Sequence, residues 1–177
     1  TPSTIEDERM AVVIQDLVGD EVNGRFYPTI SGAARSRNHY PVEPILAEDG
    51  IAAICIGMGR QVSNGGKCLR YSPGQPRRIH QFYSNQATLD TSQRNFFAIP
   101  MRQEDGEVHA EEEDNLLNLS LAEAEEDGCL ALVGSTYVVS DDRMVDSLAV
   151  DGGPRVVTFA PVLKHGRFPL SEILSHV

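Results

Sequence analysis

The sequence is short of the features that staple or anchor a chain. Its three cysteines, Cys55, Cys68 and Cys129, are odd in number, far apart and set inside apolar or strand-like runs. That pattern excludes a disulfide framework or a paired Cys-x-x-Cys zinc site and predicts buried thiols. No apolar run approaches the roughly 18 residues of a membrane span, and no charged-then-apolar leader precedes a small-residue cleavage site. A cytoplasmic protein with no membrane partner is therefore expected. Positive charge is also scarce: 15 Lys and Arg stand against 26 Asp and Glu, for a formal net charge of -11. Phosphate backbones are held by clustered Lys and Arg, so this balance argues against nucleic acid as a partner.

What is present suits a globular domain. A chain of 177 residues, 41% hydrophobic, can bury a sizeable single core. Much of the negative charge sits in "EDGEVHAEEED", residues 104–114, read as a solvated acidic loop. The chain opens on Thr1 rather than Met, runs almost at once into an apolar stretch, and stops just as "PLSEILSHV" reads as an amphipathic helix capped by Ser171. Residues 1–177 are accordingly expected to form a single domain that is a piece of a larger protein.

Local patterns favour strands over helices. "MAVVIQDLV", residues 10–18, is apolar and β-branched and reads as a buried strand followed by the turn "GDEVNG". "RFYPTISGAARS", residues 25–36, reads as its neighbour, with Pro28 placing it at an edge or bulge and Gly32 permitting a kink or close backbone approach. "IAAICI" reads as a central strand, and "KCLRYSP", "NFFAIPM", "CLALVGSTYVV" and "RVVTFAPVL" as further strands. "GQPRRIHQFYSNQ" reads as an irregular surface segment. The clearest helix is "SLAEAEEDG", where Ser120 and Glu123 make a capping box and Gly128 supplies the stop. Hairpin-length links outnumber helical crossovers, which predicts an α+β domain built mainly on antiparallel sheet.

The glycine-dense stretch "GMGRQVSNGG", residues 57–66, invites a nucleotide-loop reading that its spacing denies. A phosphate-binding Walker loop needs Gly-x-x-x-x-Gly-Lys-Ser/Thr, but Gln61 stands at the first glycine and Cys68 follows Lys67. The dinucleotide pattern Gly-x-Gly-x-x-Gly fails at Val62. On pattern alone the stretch is a turn between two strands. His39, His80, His109 and His165 lack metal-ligand spacing or a nearby nucleophile motif.

Two longer segments add a family expectation. "MAVVIQDLVGDEVNGRFYPTISGAARS" resembles the part of pyruvate phosphate dikinases and phosphoenolpyruvate synthases in which an apolar strand ending in Gln and an apolar pair precedes Ser-Gly and a second strand. "GIAAICIGMGRQVSNGGKCLRYSP" is similar to a later segment of the same nucleotide-binding domain, with its Gly-Leu-Gly. The likeness covers roughly residues 10–73. It implies one lobe of an ATP-grasp-like domain, with ATP and Mg2+ as cofactors of a larger phosphotransferase. That enzyme would phosphorylate a carrier histidine, which passes the group to pyruvate or a related acceptor.

The resemblance implies that Gln15, Asp16 and Leu17 form the hinge against the adenine. Asp20 or Glu21 would meet the ribose hydroxyls, since a carboxylate accepts two hydrogen bonds. Arg35 and Arg37, ending the second strand, are the phosphate-binding and catalytic candidates, because a guanidinium grips phosphate oxygens bidentately; Lys67 is expected to matter less. The glycine stretch becomes a strand-to-strand turn facing the cleft. Arg60 departs from the family pattern, standing where a metal-holding Glu is usual. Asp49, Gln61 and Asn64 are nearby oxygen donors with no family counterpart, so the metal ligand is unassigned. The Lys-bearing lobe would precede the hinge, so the ATP site is expected to be incomplete here and the isolated chain inactive. Ser175-His176 lacks the Gly-Gly of a phosphohistidine motif and reads as a helix face. The alternative is a catalytically degenerate ATP-grasp-like module with a regulatory or assembly role.

Overall fold

The structure, a computed structural model, describes residues 11–101 and 115–174. Met10, the acidic run 104–114 with His109, and Ser175-His176 lie outside the described residues. The described chain is α+β, and every strand pairing in it is antiparallel.

Three small sheets carry the fold. The first orders β1 (Asp20–Val22), β2 (Arg25–Tyr27), β6 (Asn95–Pro100) and β7 (Leu117–Ser120) side by side; the second places β4 (Ile51–Cys55) between β3 (Ser31–Arg35) and β5 (Leu69–Tyr71); the third places β8 (Gly134–Val138) between β9 (Arg143–Val145) and β10 (Arg155–Val157). Short helices link them: α1 (Arg60–Ser63), α2 (Asn85–Thr91), α3 (Leu121–Glu126), α4 (Leu130–Val133), α5 (Ala160–Leu163) and α6 (Leu170–Leu174). Inward-facing residues of all three sheets meet the helices in one hydrophobic cluster that includes Tyr27, Ile54, Tyr71, Phe96, Leu130, Val157 and Phe159. The Tyr27 and Phe96 rings lie tilted with centroids 4.8 Å apart, a favoured aromatic geometry.

Several expectations are met for local reasons. "IAAICI" supplies the central strand β4, and "KCLRYSP" and "NFFAIPM" supply β5 and β6. Helix α3 carries the capping box, with the Ser120 N–H donating to Glu123 Oε2 at 2.7 Å. Gly128, at φ 80°, takes the left-handed conformation that ends the helix. Cys55 and Cys68 are buried free thiols, whereas Cys129 is half-buried.

Others are corrected. Residues 11–18 form no strand and are exposed throughout; Ile14 is 92% exposed. Apolar, β-branched composition favours a strand only when a partner satisfies its backbone, and no described strand pairs with this segment. "RFYPTISGAARS" is not one strand either. It breaks at Pro28 into β2 and β3, which join different sheets, because proline cannot donate to a ladder.

"CLALVGSTYVV" turns helical over α4 before entering β8 at Gly134, where a Cβ would sit 2.8 Å from the Leu130 carbonyl oxygen. "RVVTFAPVL" leaves the sheet after Val157 and becomes α5, with Pro161 in the first turn, where its missing N–H costs nothing. The segment read as irregular, residues 74–86, ends in the start of α2, capped by Ser84, whose side chain accepts the Ala87 N–H. Ser171 lies inside α6, which starts at Leu170.

Candidate functional site

The register of the β3–β4–β5 sheet sorts its residues onto two faces. Gly32, Ile54 and Leu69 stand abreast, as do Ala34, Ala52 and Tyr71, and Ala52, Ile54, Leu69 and Tyr71 are buried in the core. Because side chains alternate with period two, Ala33, Ala53 and Arg70 then share the opposite face with the Arg35 and Ile51 pair. Ala33 and Ala53 end at Cβ, so this face is shallow in the middle. A groove of about 630 Å³ runs over it, flanked by Arg35 and Arg70 at the strands and by Met58, Gly59, Val62 and Ser63 of the glycine turn.

The glycines explain the wall of this groove. Gly57 and Gly59 have φ of 86° and 78°, in the region open to glycine at no steric cost. A Cβ on Gly57 would also sit 2.6 Å from the Phe97 carbonyl oxygen, so the turn is pressed onto β6. The Gly57 N–H donates to the Pro28 carbonyl at 3.1 Å and the Met58 N–H to that of Phe97 at 2.9 Å. Ser31 Oγ donates to the Gly57 carbonyl at 2.6 Å. Those two amides are spent on the fold. The turn is a strand-to-strand connection carrying the one-turn helix α1.

A buried glutamine holds the start of the turn from behind. Gln93 is 2% exposed. It accepts the Ile56 N–H at 2.9 Å and donates to the Ile56 carbonyl at 3.0 Å, pairing the backbone just past β4 as a neighbouring strand would. Cys55 lies close by, its Sγ 3.3 Å from Ser31 Oγ. Burial pushes its thiol up, with the Ser31 hydrogen bond pulling back, so it is held protonated and unreactive.

The candidate residues distribute unevenly around this groove. Arg35 lines it, whereas Arg37 lies two residues beyond the end of β3 and is absent from its walls. Lys67 is exposed and also outside it. Gln15, Asp16 and Leu17 are in the exposed stretch before β1, and Asp20 and Glu21 are exposed on β1 itself, in the other sheet; none of them lines the groove. Asp49 is committed elsewhere, accepting from the Leu46 N–H at 2.8 Å and from Gln75 Nε2 at 2.7 Å. Gln61 donates to the Asn95 carbonyl at 3.1 Å, and Asn64 accepts from Ser63 Oγ at 3.0 Å.

Arg70 is the groove residue that motif reading missed. Its signal is the alternation of Leu69, Arg70 and Tyr71, buried, exposed and buried, which places the guanidinium across the sheet from the core. A second missed signal is charge segregation. Residues 22–42 and 50–89 contain no Asp or Glu, yet they carry eight of the fifteen Lys and Arg. The strands and turn around the groove come from these two stretches, which concentrates positive charge there, although Glu48 and Asp49, from the segment between them, share a neighbouring pocket with Arg35. Neither the Arg35 nor the Arg70 side chain makes an ion pair or hydrogen bond with a described residue.

Magnesium needs hard oxygen ligands in octahedral array, chiefly carboxylates and water. The described lining offers hydroxyls and two guanidinium groups but no carboxylate. At the position where the resembling family has Glu, the Arg60 guanidinium lies 4.8 Å from the centroid of the Phe97 ring, a cation–π contact. No group of three or more His, Cys, Asp or Glu able to hold a metal occurs among the described residues. The donor set does not fit the metal. No helix among the described residues is long and apolar enough to cross a membrane. No protein-family model, no curated protein and no solved structure matches this chain.

Proposed function

We propose that the chain is an ATP-binding lobe of a phosphotransferase similar to phosphoenolpyruvate synthase and pyruvate phosphate dikinase, an ATP-grasp-like unit whose parent enzyme phosphorylates a carrier histidine and passes the group to pyruvate or a related acceptor. The observation that carries the reading is the groove itself: a strand-end arginine and a sequence-distant second arginine flank a shallow floor walled by the glycine turn. Arg35 and Arg70 would each present a planar fork of donors to phosphate oxygens. Holding the phosphate chain in place and meeting its charge are the main demands of phosphoryl transfer. The adenine hinge at Gln15, Asp16 and Leu17 and the ribose contact at Glu21 belong to the same proposal, as do Arg37 and the cytoplasmic setting.

A second reading, a degenerate module with a regulatory or assembly role, is favoured by Arg60, whose guanidinium packs on Phe97 where the family carries a metal ligand. Both readings are tested by following backbone amide signals during an ATP titration of the chain. The expected result is weak, roughly millimolar binding, about 4 kcal/mol, with shifts at β3 and at the 57–66 turn. Shifts confined to another surface, or none at all, overturn the ATP-lobe reading. Submicromolar affinity shows that the site has been misplaced.

A further inference from the structure

Two arginines that face one groove without carboxylate partners repel each other and lower the local cost of bringing in an anion. The chain has carboxylates in excess, yet none lines this groove among the described residues. Elsewhere the same side chain is neutralised: Arg25 meets Glu123 at 3.1 Å and Arg155 meets Glu125 at 2.8 Å. The floor between Arg35 and Arg70, Ala33 and Ala53, adds no polar side chain to compete for them. What the groove lining lacks is as specific: a divalent cation brought in on phosphate oxygens would meet two guanidinium groups and no carboxylate there, since Glu48 and Asp49 share a different pocket with Arg35.

Resting on the reading above that this groove is the phosphate site, we propose that Arg35 and Arg70 hold the phosphate chain of the ligand directly, taking the place of a bridging divalent cation, so that the groove selects metal-free polyphosphate over its magnesium complex. Guanidinium groups and magnesium compete for the same oxygens. A phosphate chain already carrying the metal has less negative charge and fewer free oxygens to offer. Magnesium therefore weakens binding at this groove.

The test is calorimetric titration of the chain with sodium tripolyphosphate, ATP and adenosine, each with a chelator and with excess magnesium chloride at matched ionic strength. Tripolyphosphate and ATP are expected to bind in chelator and to bind several-fold more weakly with magnesium. Adenosine, having no phosphate, distinguishes a base contact from a phosphate contact and is expected to bind far less well than either. Arg35→Gln and Arg70→Gln should each lower tripolyphosphate affinity about tenfold, the loss of a charge-assisted hydrogen bond. Arg77→Gln, in the same acid-free stretch but outside the groove, should leave it unchanged. Both groove arginines are exposed, so these variants are expected to fold, and unchanged circular dichroism confirms it. If ATP binds at the groove only with magnesium, the metal-free proposal fails while the ATP reading stands. Equal losses in all three arginine variants, or none, also overturn the proposal. If no nucleotide or tripolyphosphate binds in either condition, both readings fail.

Discussion

Arg25 and Arg155 are held by carboxylates of α3 or its end; Arg35 and Arg70 stand unpaired beside a groove. The first two are structural. Arg25 reaches Glu123 at 3.1 Å and Asp127 at 3.7 Å. Arg155 grips Glu125 through Nε and Nη2 and also donates to Thr136 Oγ1 at 2.7 Å and the Val150 carbonyl at 2.9 Å. Short as it is, α3 therefore ties the first sheet to the third through its run of acids. Glu123 works twice, one oxygen capping the helix and the other meeting Arg25. In the groove sheet Arg35 and Arg70 make no ion pair with a described residue, although Glu48 and Asp49 line a pocket with Arg35. Where an arginine meets a carboxylate, its charge is used in holding the fold; where it does not, its charge is left unspent by the fold.

The largest expected effect lies at the deepest point of the clamp. The Asp127 side chain is fully buried, accepting from Tyr27 Oη and Asn23 Nδ2, both at 2.6 Å. Asp127→Ala leaves Arg25 with Glu123 alone and the Tyr27 hydroxyl with only the Cys129 thiol at 3.4 Å, and is predicted to cost about 3 kcal/mol. Urea denaturation checks it; a loss of under about 1 kcal/mol would show that the cluster relaxes at little cost.

Two tyrosines sharpen the comparison through pH. Tyr27, in the clamp, has its phenol pushed up by burial, then by the Asp127 hydrogen bond. Tyr71, on the core side of the groove sheet, is pushed up to about 12 by burial alone, and its hydroxyl has no hydrogen-bond partner among the described residues. In both, the folded value exceeds the unfolded one, so their stability contribution is complete below the unfolded value of 10.0 and is lost as pH rises through the folded value. Between pH 10 and 12, Tyr71 is predicted to contribute a decline approaching about 1.4 kcal/mol per pH unit. Tyr71→Phe should flatten the alkaline limb of the denaturation midpoint against pH without loss at pH 7, because it deletes an unpaired buried hydroxyl. An unchanged alkaline limb would mean that the folded hydroxyl ionises near its ordinary value.

A smaller loss is expected at the outer clamp. Glu125 is 38% exposed at its side chain, so solvent screens the pair, and Glu125→Ala is predicted to cost about 1 kcal/mol or less. Added salt should shrink the difference from the parent protein; a salt-independent cost would point to lost packing instead. The smallest effect belongs to the groove. Arg35→Ala and Arg70→Ala are predicted to shift stability by no more than about 0.5 kcal/mol, whatever they do to anion binding. A thermal shift as large as that of Asp127→Ala would place these arginines among the structural ones.

Legibility in the sequence followed the range of the interactions. The capping box of Ser120 and Glu123, the Gly128 stop and the apolar run of β4 are set within a few neighbours, and all were readable. Residues 11–18 had strand composition but no described strand to pair with, since a strand is completed only by a partner that local sequence does not name. Helix α2 has little apolar periodicity, and its Ser84 cap was hidden in a polar segment. Of the groove, the strand-end place of Arg35 was readable from local pattern. Arg70 required the register of β4 against β5, and Arg37 lies beyond the groove because β3 ends at Arg35.

By itself the sequence determined the antiparallel α+β character, the buried thiols of Cys55 and Cys68, the turn at 57–66 and the distribution of charge, because alternation, capping and composition act locally. Tertiary structure decided which arginines are spent and which are open. Arg25 and Arg155 reach carboxylates 98 and 30 residues away, while Ala53 of β4 brings Arg70 onto the same face as Arg35. Coulomb attraction depends on separation in space, and only the folded chain sets that separation.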